Sequence, residues 1–120
     1  MANILVVEDD DNMRGLIKTI LVRRGHQVTE ARNGLEGLAR LDQAIPDLVV
    51  TDLMMPGIGG LALVAEIQRR PFPPKVLVVS GKQLRLEGEV SDLAARGLLA
   101  SMQKPFTPIQ LAQSVQALIG

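Results

Sequence analysis

DLVVTDLMMPGIGG, residues 47–60, joins a short apolar run to an acidic residue and a turn. Its apolar residues 48–50 predict a short buried strand, and the Pro and closely spaced Gly that follow predict a turn. Asp52 lies where the strand ends and the loop begins. In open α/β sheets the carboxyl ends of parallel strands hold the ligand sites, so Asp52 is the first candidate for chemistry. An aspartate that caps the next turn or helix would give the same local pattern.

Outward from this stretch, strand and helix patterns alternate along the whole chain. Apolar runs predict further strands at residues 4–7, 26–31, 75–79 and 98–103. Helical spacing of apolar residues predicts a first helix through Met13, Leu16, Ile17, Ile20 and Leu21, a second through Leu35, Leu38 and Leu41, and others near 61–67, 90–96 and 107–118. Five strands alternating with five helices predict right-handed crossovers and one parallel sheet covered on both faces. The predicted fold class is therefore α/β, with a doubly wound sheet.

The helix ends have recognisable capping signals. Asn33 with Glu36, and Thr107 with Gln110, match the capping box, in which two residues satisfy each other's backbone N–H groups. Gly25 follows two arginines at the end of the first helix, which predicts a left-handed glycine cap. These signals place the first, second and last helices.

Composition limits the possible functions. A chain of 120 residues predicts one domain, residues 1–120. Thirteen Lys and Arg balance thirteen Asp and Glu, which argues against direct binding to nucleic acid. Cysteine is absent, so disulfides and thiolate metal sites are excluded. No apolar run reaches the roughly 18 residues of a membrane span, and the N-terminus does not resemble a signal peptide, so we expect a cytoplasmic protein with no membrane partner.

Polar side chains follow four of the predicted strands. These are Glu8 and Asp9 after the first strand, Asp52 after the third, Ser80 after the fourth and Lys104 after the fifth. Parallel strands end at one edge of the sheet, so the side chains should converge there. Three carboxylates in one crevice repel one another unless a cation intervenes, and oxygen ligands suit a hard ion such as Mg²⁺. Met54 would contribute only its backbone carbonyl, because a thioether is too soft a ligand.

Four motifs at strand ends identify a family resemblance. They are VVEDD at residues 6–10, TDLMMPGIGG at 51–60, VVSGK at 78–82 and KPF at 104–106. In this order they resemble the receiver domains of two-component response regulators, among them the bacterial chemotaxis receiver, and the resemblance covers essentially the whole chain. It implies a flavodoxin-like fold with strand order 2-1-3-4-5, an order carried over from the family.

The resemblance implies a phosphoaccepting signalling receiver and not a turnover enzyme. Asp52 would take a phosphoryl group from the phosphohistidine of a sensor histidine kinase or phosphotransfer protein. Lys104 would pair with the phosphoryl oxygens, and the Ser80 hydroxyl would donate a hydrogen bond to one of them. The chain would catalyse only this transfer and a slow self-dephosphorylation.

The resemblance also implies a ligand set for Mg²⁺. Asp9 and Asp52 would bind the ion directly, the Met54 backbone carbonyl would complete the protein ligands, and Glu8 would act mainly through water. It further implies a cis Lys104–Pro105 peptide bond, which an X-Pro sequence permits. A downstream effector or output domain would read the signal through a monomer or a phosphorylation-dependent dimer, with residues 98–102 and 107–119 as the expected interface.

Some residues have a simpler interpretation or depart from the family. Asp10 and Asp11 are interpreted as an acidic first helical turn, and His26 as a surface residue far from the site. Ser101 stands where many receivers carry an aromatic residue that moves on activation. The loop of residues 81–88 and the helix after it are a hypothetical alternative route for the switch.

Two other functions compete with the receiver interpretation. A receiver-like docking module that does not switch by phosphorylation is weakly favoured by Ser101, but the complete set of acids, Ser80 and Lys104 argues against it. The other is a hydrolase with an aspartate nucleophile, similar to the haloacid dehalogenase-like phosphatases. That family needs a second acid two residues after the first, and Met54 stands there. A nucleotide-binding fold lacks a Gly-rich loop after the first strand.

Overall fold

One parallel five-stranded sheet forms the centre of the molecule. The computed structural model describes residues 2–52, 60–81 and 98–119. The strands are β1 (Asn3–Val7), β2 (Gln27–Ala31), β3 (Leu48–Asp52), β4 (Lys75–Ser80) and β5 (Leu99–Gln103). They lie in the order β2-β1-β3-β4-β5, and every neighbouring pair is parallel. The doubly wound fold and the strand order implied by the resemblance are both confirmed.

Four helices connect or follow these strands in the described part of the chain. They are α1 (Asp11–Arg23), α2 (Gly34–Gln43), α3 (Gly60–Gln68) and α4 (Pro108–Ile119). The helix predicted near residues 90–96 and the proposed switch loop 81–88 fall outside the described residues, apart from Gly81. Within the described ranges, no helix has both the length and the apolar character needed to cross a bilayer.

The sheet separates two apolar layers. Alternate residues of β1 belong to different layers, with Ile4 and Val6 on one face and Leu5 and Val7 on the other. The first face packs against α1 and α4 through Ile17, Ile20, Leu21, Leu111, Val115 and Leu118. The second face packs against α2 and α3 through Leu41, Leu63, Val64 and Ile67. A strand buried on both faces needs a continuous apolar run, which explains the patterns of β1 and β3.

The predicted caps are largely confirmed. Thr107 and Gln110 form a reciprocal capping box, with hydrogen bonds of 2.8 and 3.1 Å to each other's backbone N–H. Asn33 accepts the N–H of Glu36 at 2.9 Å, but the Glu36 carboxylate reaches the N–H of Arg32 instead of completing the box. Gly25 has φ of 88°, the left-handed conformation expected of a glycine cap.

The prediction that Leu16 and Leu35 belong to the apolar faces of their helices is wrong. Leu16 is 46% exposed and Leu35 is 66% exposed. In α1 the buried residues are Ile17, Ile20 and Leu21, so Leu16 lies about 90° around the helix from the centre of the core-facing stripe. In α2 the helix approaches the sheet through the small buried residues Gly34 and Gly37, which turns Leu35 outward.

His26 is also less exposed than predicted. It is partly buried just before β2, and its Nδ1 atom accepts the N–H of Ala2 at 3.2 Å. Burial lowers the pKa of this imidazole, and so does the positive charge of the N-terminus. His26 therefore helps to fix the N-terminal end of β1.

Candidate functional site

Three carboxylates meet at the carboxyl edge of the sheet. Glu8 and Asp9 follow β1 directly, and Asp52 is the last residue of β3. These strands are neighbours, with Val7 opposite Thr51, so Glu8 lies beside Asp52. Each carboxylate offers an oxygen atom, and the three atoms lie within 4.8 Å of one another. The convergence predicted from the strand pattern is therefore present.

Glu8 is the buried member of the cluster. Its side chain is 2% exposed, and every one of its polar groups has a partner. The N–H donates to the carbonyl of Ala31 at 3.0 Å, and the backbone carbonyl accepts a hydrogen bond from Arg14. One carboxylate oxygen accepts the Lys104 ammonium, and the other accepts the N–H of Asp10 at a long 3.5 Å.

Burial raises the pKa of Glu8 from 4.5 to about 7, because a carboxylate removed from water loses its hydration. The hydrogen bond from Lys104 opposes this rise in pKa, while a hydrogen bond with Asp9 and the charge of Asp52 add to it. A proton therefore competes with any cation for this carboxyl group near neutral pH.

Lys104 brings the opposite charge into the cluster. Its Nζ atom lies 2.7 Å from Oε1 of Glu8 and 3.3 Å from Oδ2 of Asp52. Burial by itself lowers the pKa of Lys104, but the hydrogen bond and charge of Glu8 outweigh burial and raise it, with help from Asp52. The ammonium group thus stays charged between two carboxylates. The peptide bond to Pro105 is cis, as the resemblance implied.

Ser80 ends the next strand along from Asp52. It is buried, and its backbone carbonyl accepts the N–H of Lys104 at 2.7 Å, which ties the end of β4 to the residue after β5. Asp52 pairs with Val79 in the register of β3 and β4, so Ser80 lies one residue beyond Asp52 at the same edge. Met54 falls outside the described residues. α3 begins at Gly60, and the turn that follows Asp52 also falls outside the described residues.

The cluster fits a hard divalent cation. All three carboxylates offer oxygen atoms, which Mg²⁺ prefers to nitrogen or sulfur ligands. Asp9 is exposed while Glu8 is buried, so the cluster opens to solvent on the side of Asp9. A divalent cation there would relieve the mutual repulsion that burial makes costly.

Two residues near the cluster were not predicted from the sequence. Arg14 reaches back from α1 to the carbonyl of Glu8, and the hydroxyl of buried Thr51 donates to the carbonyl of Asp52 at 3.0 Å. Both contacts involve backbone atoms of site residues. Arg14 follows Asp11 at the i, i+3 spacing of a helical ion pair, which was the one local signal available.

Comparisons with known proteins agree on one family. The family model for the response regulator receiver domain matches residues 4–116. Chemotaxis protein CheY of Listeria monocytogenes is 32% identical over 117 residues, which cover 97% of each chain. Transcriptional regulatory protein AfsQ1 of Streptomyces coelicolor is 39% identical over 80 residues, 67% of this chain and 36% of that protein. The chain therefore spans nearly all of CheY and about a third of AfsQ1.

Solved structures show the same similarity in three dimensions. Response regulator protein TrrA from Thermotoga maritima, whose crystal contains Mg²⁺ and BeF, is 33% identical with a TM-score of 0.83. The superposition covers 98% of this chain and 99% of TrrA. Fold and sequence thus match along the whole described chain.

Proposed function

Because the chain belongs to the family of response regulator receiver domains, we propose that it accepts a phosphoryl group on Asp52 within a two-component phosphorelay. The donor would be the phosphohistidine of a sensor histidine kinase or phosphotransfer protein. One observation supports this most directly: the Asp52 carboxylate shares a crevice with two other carboxylates and the Lys104 ammonium. Residues 1–120 would form a single receiver domain.

The transfer is a displacement at phosphorus. An oxygen of Asp52 attacks the phosphorus atom, the new O–P bond forms, and the P–N bond of the phosphohistidine breaks. The leaving imidazole nitrogen keeps the electron pair of that bond and takes up a proton from solvent. The product is an aspartyl phosphate on Asp52 and a free histidine on the donor.

The chain's own residues would bind and orient the phosphoryl group. Lys104 already lies 3.3 Å from Asp52, so its ammonium needs little movement to contact the oxygens of a group attached there. Ser80 ends the neighbouring strand and would donate its hydroxyl proton to another oxygen. Phosphoryl transfer depends mainly on such placement of charge, and the strand ends hold both residues on a rigid sheet.

The same proposal assigns the metal seat. Asp9, Asp52 and the Met54 carbonyl would hold Mg²⁺, and Glu8 would contact it mainly through water. When bound, the ion would neutralise charge on the carboxylates and on the phosphoryl group. The oxygen-only donor set supports the assignment, as does the Mg²⁺ in the TrrA crystal.

The output would be a change in partner binding. By family resemblance, an effector or output domain reads the phosphorylated state in the cytoplasm, as a monomer or as a phosphorylation-dependent dimer. The length of AfsQ1 beyond the matched region is consistent with an output domain in that relative. The chain would therefore act as a signalling module.

Intact-mass measurement after incubation with a small phosphodonor tests the proposal. Wild type should gain the mass of one phosphoryl group only with Mg²⁺, and Asp52→Asn should gain none. Asp42→Asn is the matched control, because Asp42 is an exposed carboxylate paired with Arg70 away from the cluster. No addition to wild type under any condition would favour the docking module. Continuous donor turnover without a trapped adduct would favour the phosphatase.

A further inference from the structure

Arg14 joins three parts of the chain behind the carboxylate cluster. Its side chain is only 12% exposed. One terminal nitrogen donates to the backbone carbonyl of Glu8 at 2.9 Å, and the other donates to the carboxylate of Asp11. Its Nε atom lies 3.5 Å from Oε1 of Glu30 on β2. The guanidinium therefore connects the end of β1, the first turn of α1 and the neighbouring edge strand.

The contact with Glu8 acts on the peptide unit that links two of the three carboxylates. That peptide contains the carbonyl of Glu8 and the N–H of Asp9. On its N-terminal side, the N–H of Glu8 is already fixed by Ala31 at 3.0 Å. With Arg14 holding the carbonyl, the backbone of Glu8 is held from both sides, which sets the direction in which Asp9 leaves the sheet.

The arrangement needs the shape of a guanidinium. Arginine presents five N–H groups in a rigid fork, so it can donate to Glu8, Asp11 and Glu30 in different directions at once. A lysine ammonium has similar charge but donates from a single atom. It would satisfy one or two of these acceptors, and the carbonyl of Glu8 competes poorly with two carboxylates for it.

We propose that Arg14 is a positioning residue for the metal seat, which fixes the Glu8–Asp9 peptide so that the Asp9 carboxylate meets those of Glu8 and Asp52. This rests on the proposed function, since it presupposes that the cluster binds Mg²⁺. Partners that orient metal ligands from outside typically change metal affinity by about 10- to 100-fold. Arg14 acts through the backbone and needs no contact with the ion.

Calorimetric titration of the full chain with MgCl₂ tests the proposal. Arg14→Lys keeps the charge and removes the fork, and it should weaken Mg²⁺ binding by about tenfold or more. Lys18→Met is the matched control: it removes a positive charge from the same helix and from the same partner, Glu30, but Lys18 does not contact Glu8 in the structure. Its affinity should stay within about twofold of wild type, since an exposed ion pair contributes little.

The outcomes separate the two proposals. If wild type binds Mg²⁺ and Arg14→Lys binds it equally well, the positioning role is overturned and the proposed function stands. If wild type does not bind Mg²⁺, the proposed function fails and the role of Arg14 fails with it. Should circular dichroism show that Arg14→Lys is unfolded, Glu30→Gln takes its place. Glu30→Gln removes the contact that the Arg14 guanidinium makes with β2. A Mg²⁺ affinity of this variant equal to that of Lys18→Met would contradict the proposal.

Discussion

Glu8 places a carboxyl group where water hardly reaches it. The raised pKa of Glu8, about 7 instead of 4.5, means that the folded chain holds this proton more tightly than the unfolded chain does. Without a cation, folding therefore becomes less favourable as the carboxyl group ionises. This free-energy cost of folding is absent below pH 4.5 and reaches its full size above about pH 7.

We expect Glu8→Gln to remove this pH dependence. In metal-free buffer the variant should gain stability relative to wild type as pH rises from about 4.5 to 7, because glutamine does not ionise. A shift from 4.5 to about 7 sets the gain at roughly 3 kcal/mol. Urea denaturation of both proteins at several pH values measures the difference between their free energies of unfolding.

Taking that difference cancels the contribution of other titrating groups, such as His26. Glu66→Gln serves as the control for losing a carboxylate at an exposed ion pair, since Glu66 pairs with Arg69 on the surface. A constant difference between Glu8→Gln and wild type from pH 5 to 8 would show that the Glu8 carboxyl group is not shielded as described.

At the scale of the element, two helical glycines have opposite surroundings. A Cβ atom added at Gly15 in α1 would meet nothing within 4 Å. At Gly37 in α2 it would lie 3.1 Å from Cγ2 of Val7, a fully buried residue of β1. Gly37 therefore sets how closely α2 approaches the sheet, whereas Gly15 does not limit any contact.

Alanine at these two positions should change stability in different directions. Gly15→Ala should raise the free energy of unfolding by about 0.5–1 kcal/mol, the usual gain in helix propensity. Gly37→Ala receives the same gain but must displace a stiff β-branched side chain, at about 1–3 kcal/mol. Urea denaturation at pH 7 measures both variants. Equal stabilisation by the two would mean that α2 can move away from β1 at little cost.

Local signals were enough to predict most elements, because strands and caps depend on neighbouring residues. The apolar run of β1 and the capping box of Thr107 both have this local character. Leu16 and Leu35 were assigned wrongly because helical spacing shows that a stripe exists, while its exact direction depends on the neighbouring sheet. Arg14 was missed for a related reason, since its second carboxylate partner, Glu30, lies on another element.

At the scale of the whole molecule, the order of the strands could not be read from the chain. Alternating strands and helices require a parallel sheet, but several strand orders are compatible with such a sheet. The order 2-1-3-4-5 came from the family resemblance, and so did the roles of Asp52, Ser80 and Lys104. The convergence of the acids needed only the rule that parallel strands end at one edge, so it was predictable from the residues.

Mg²⁺ should stabilise the whole domain if the cluster binds it. A ligand that binds only the folded state at about 100 times its Kd adds about 2.7 kcal/mol, so the thermal midpoint should rise by several degrees. Far-UV circular dichroism follows unfolding, because the chain has no Trp or Tyr. Adding EDTA should reverse the rise, and Asp9→Asn should largely abolish it.

Charge screening is the alternative explanation of such a rise. NaCl at matched ionic strength screens the carboxylates without binding between them. If NaCl raises the midpoint of wild type as much as MgCl₂ does, or if Asp9→Asn responds like wild type, the cluster does not bind Mg²⁺ selectively.

The ion pair between Glu8 and Lys104 joins residues that are 96 positions apart in the chain. During synthesis the N-terminal part of a protein emerges first, so the three acids leave the ribosome well before Lys104 does. A growing or truncated chain therefore carries the proposed acceptor, Asp52, without the cation that faces it. Under the proposed function, the full set of charged site residues is therefore present only once synthesis has passed β5 and Lys104.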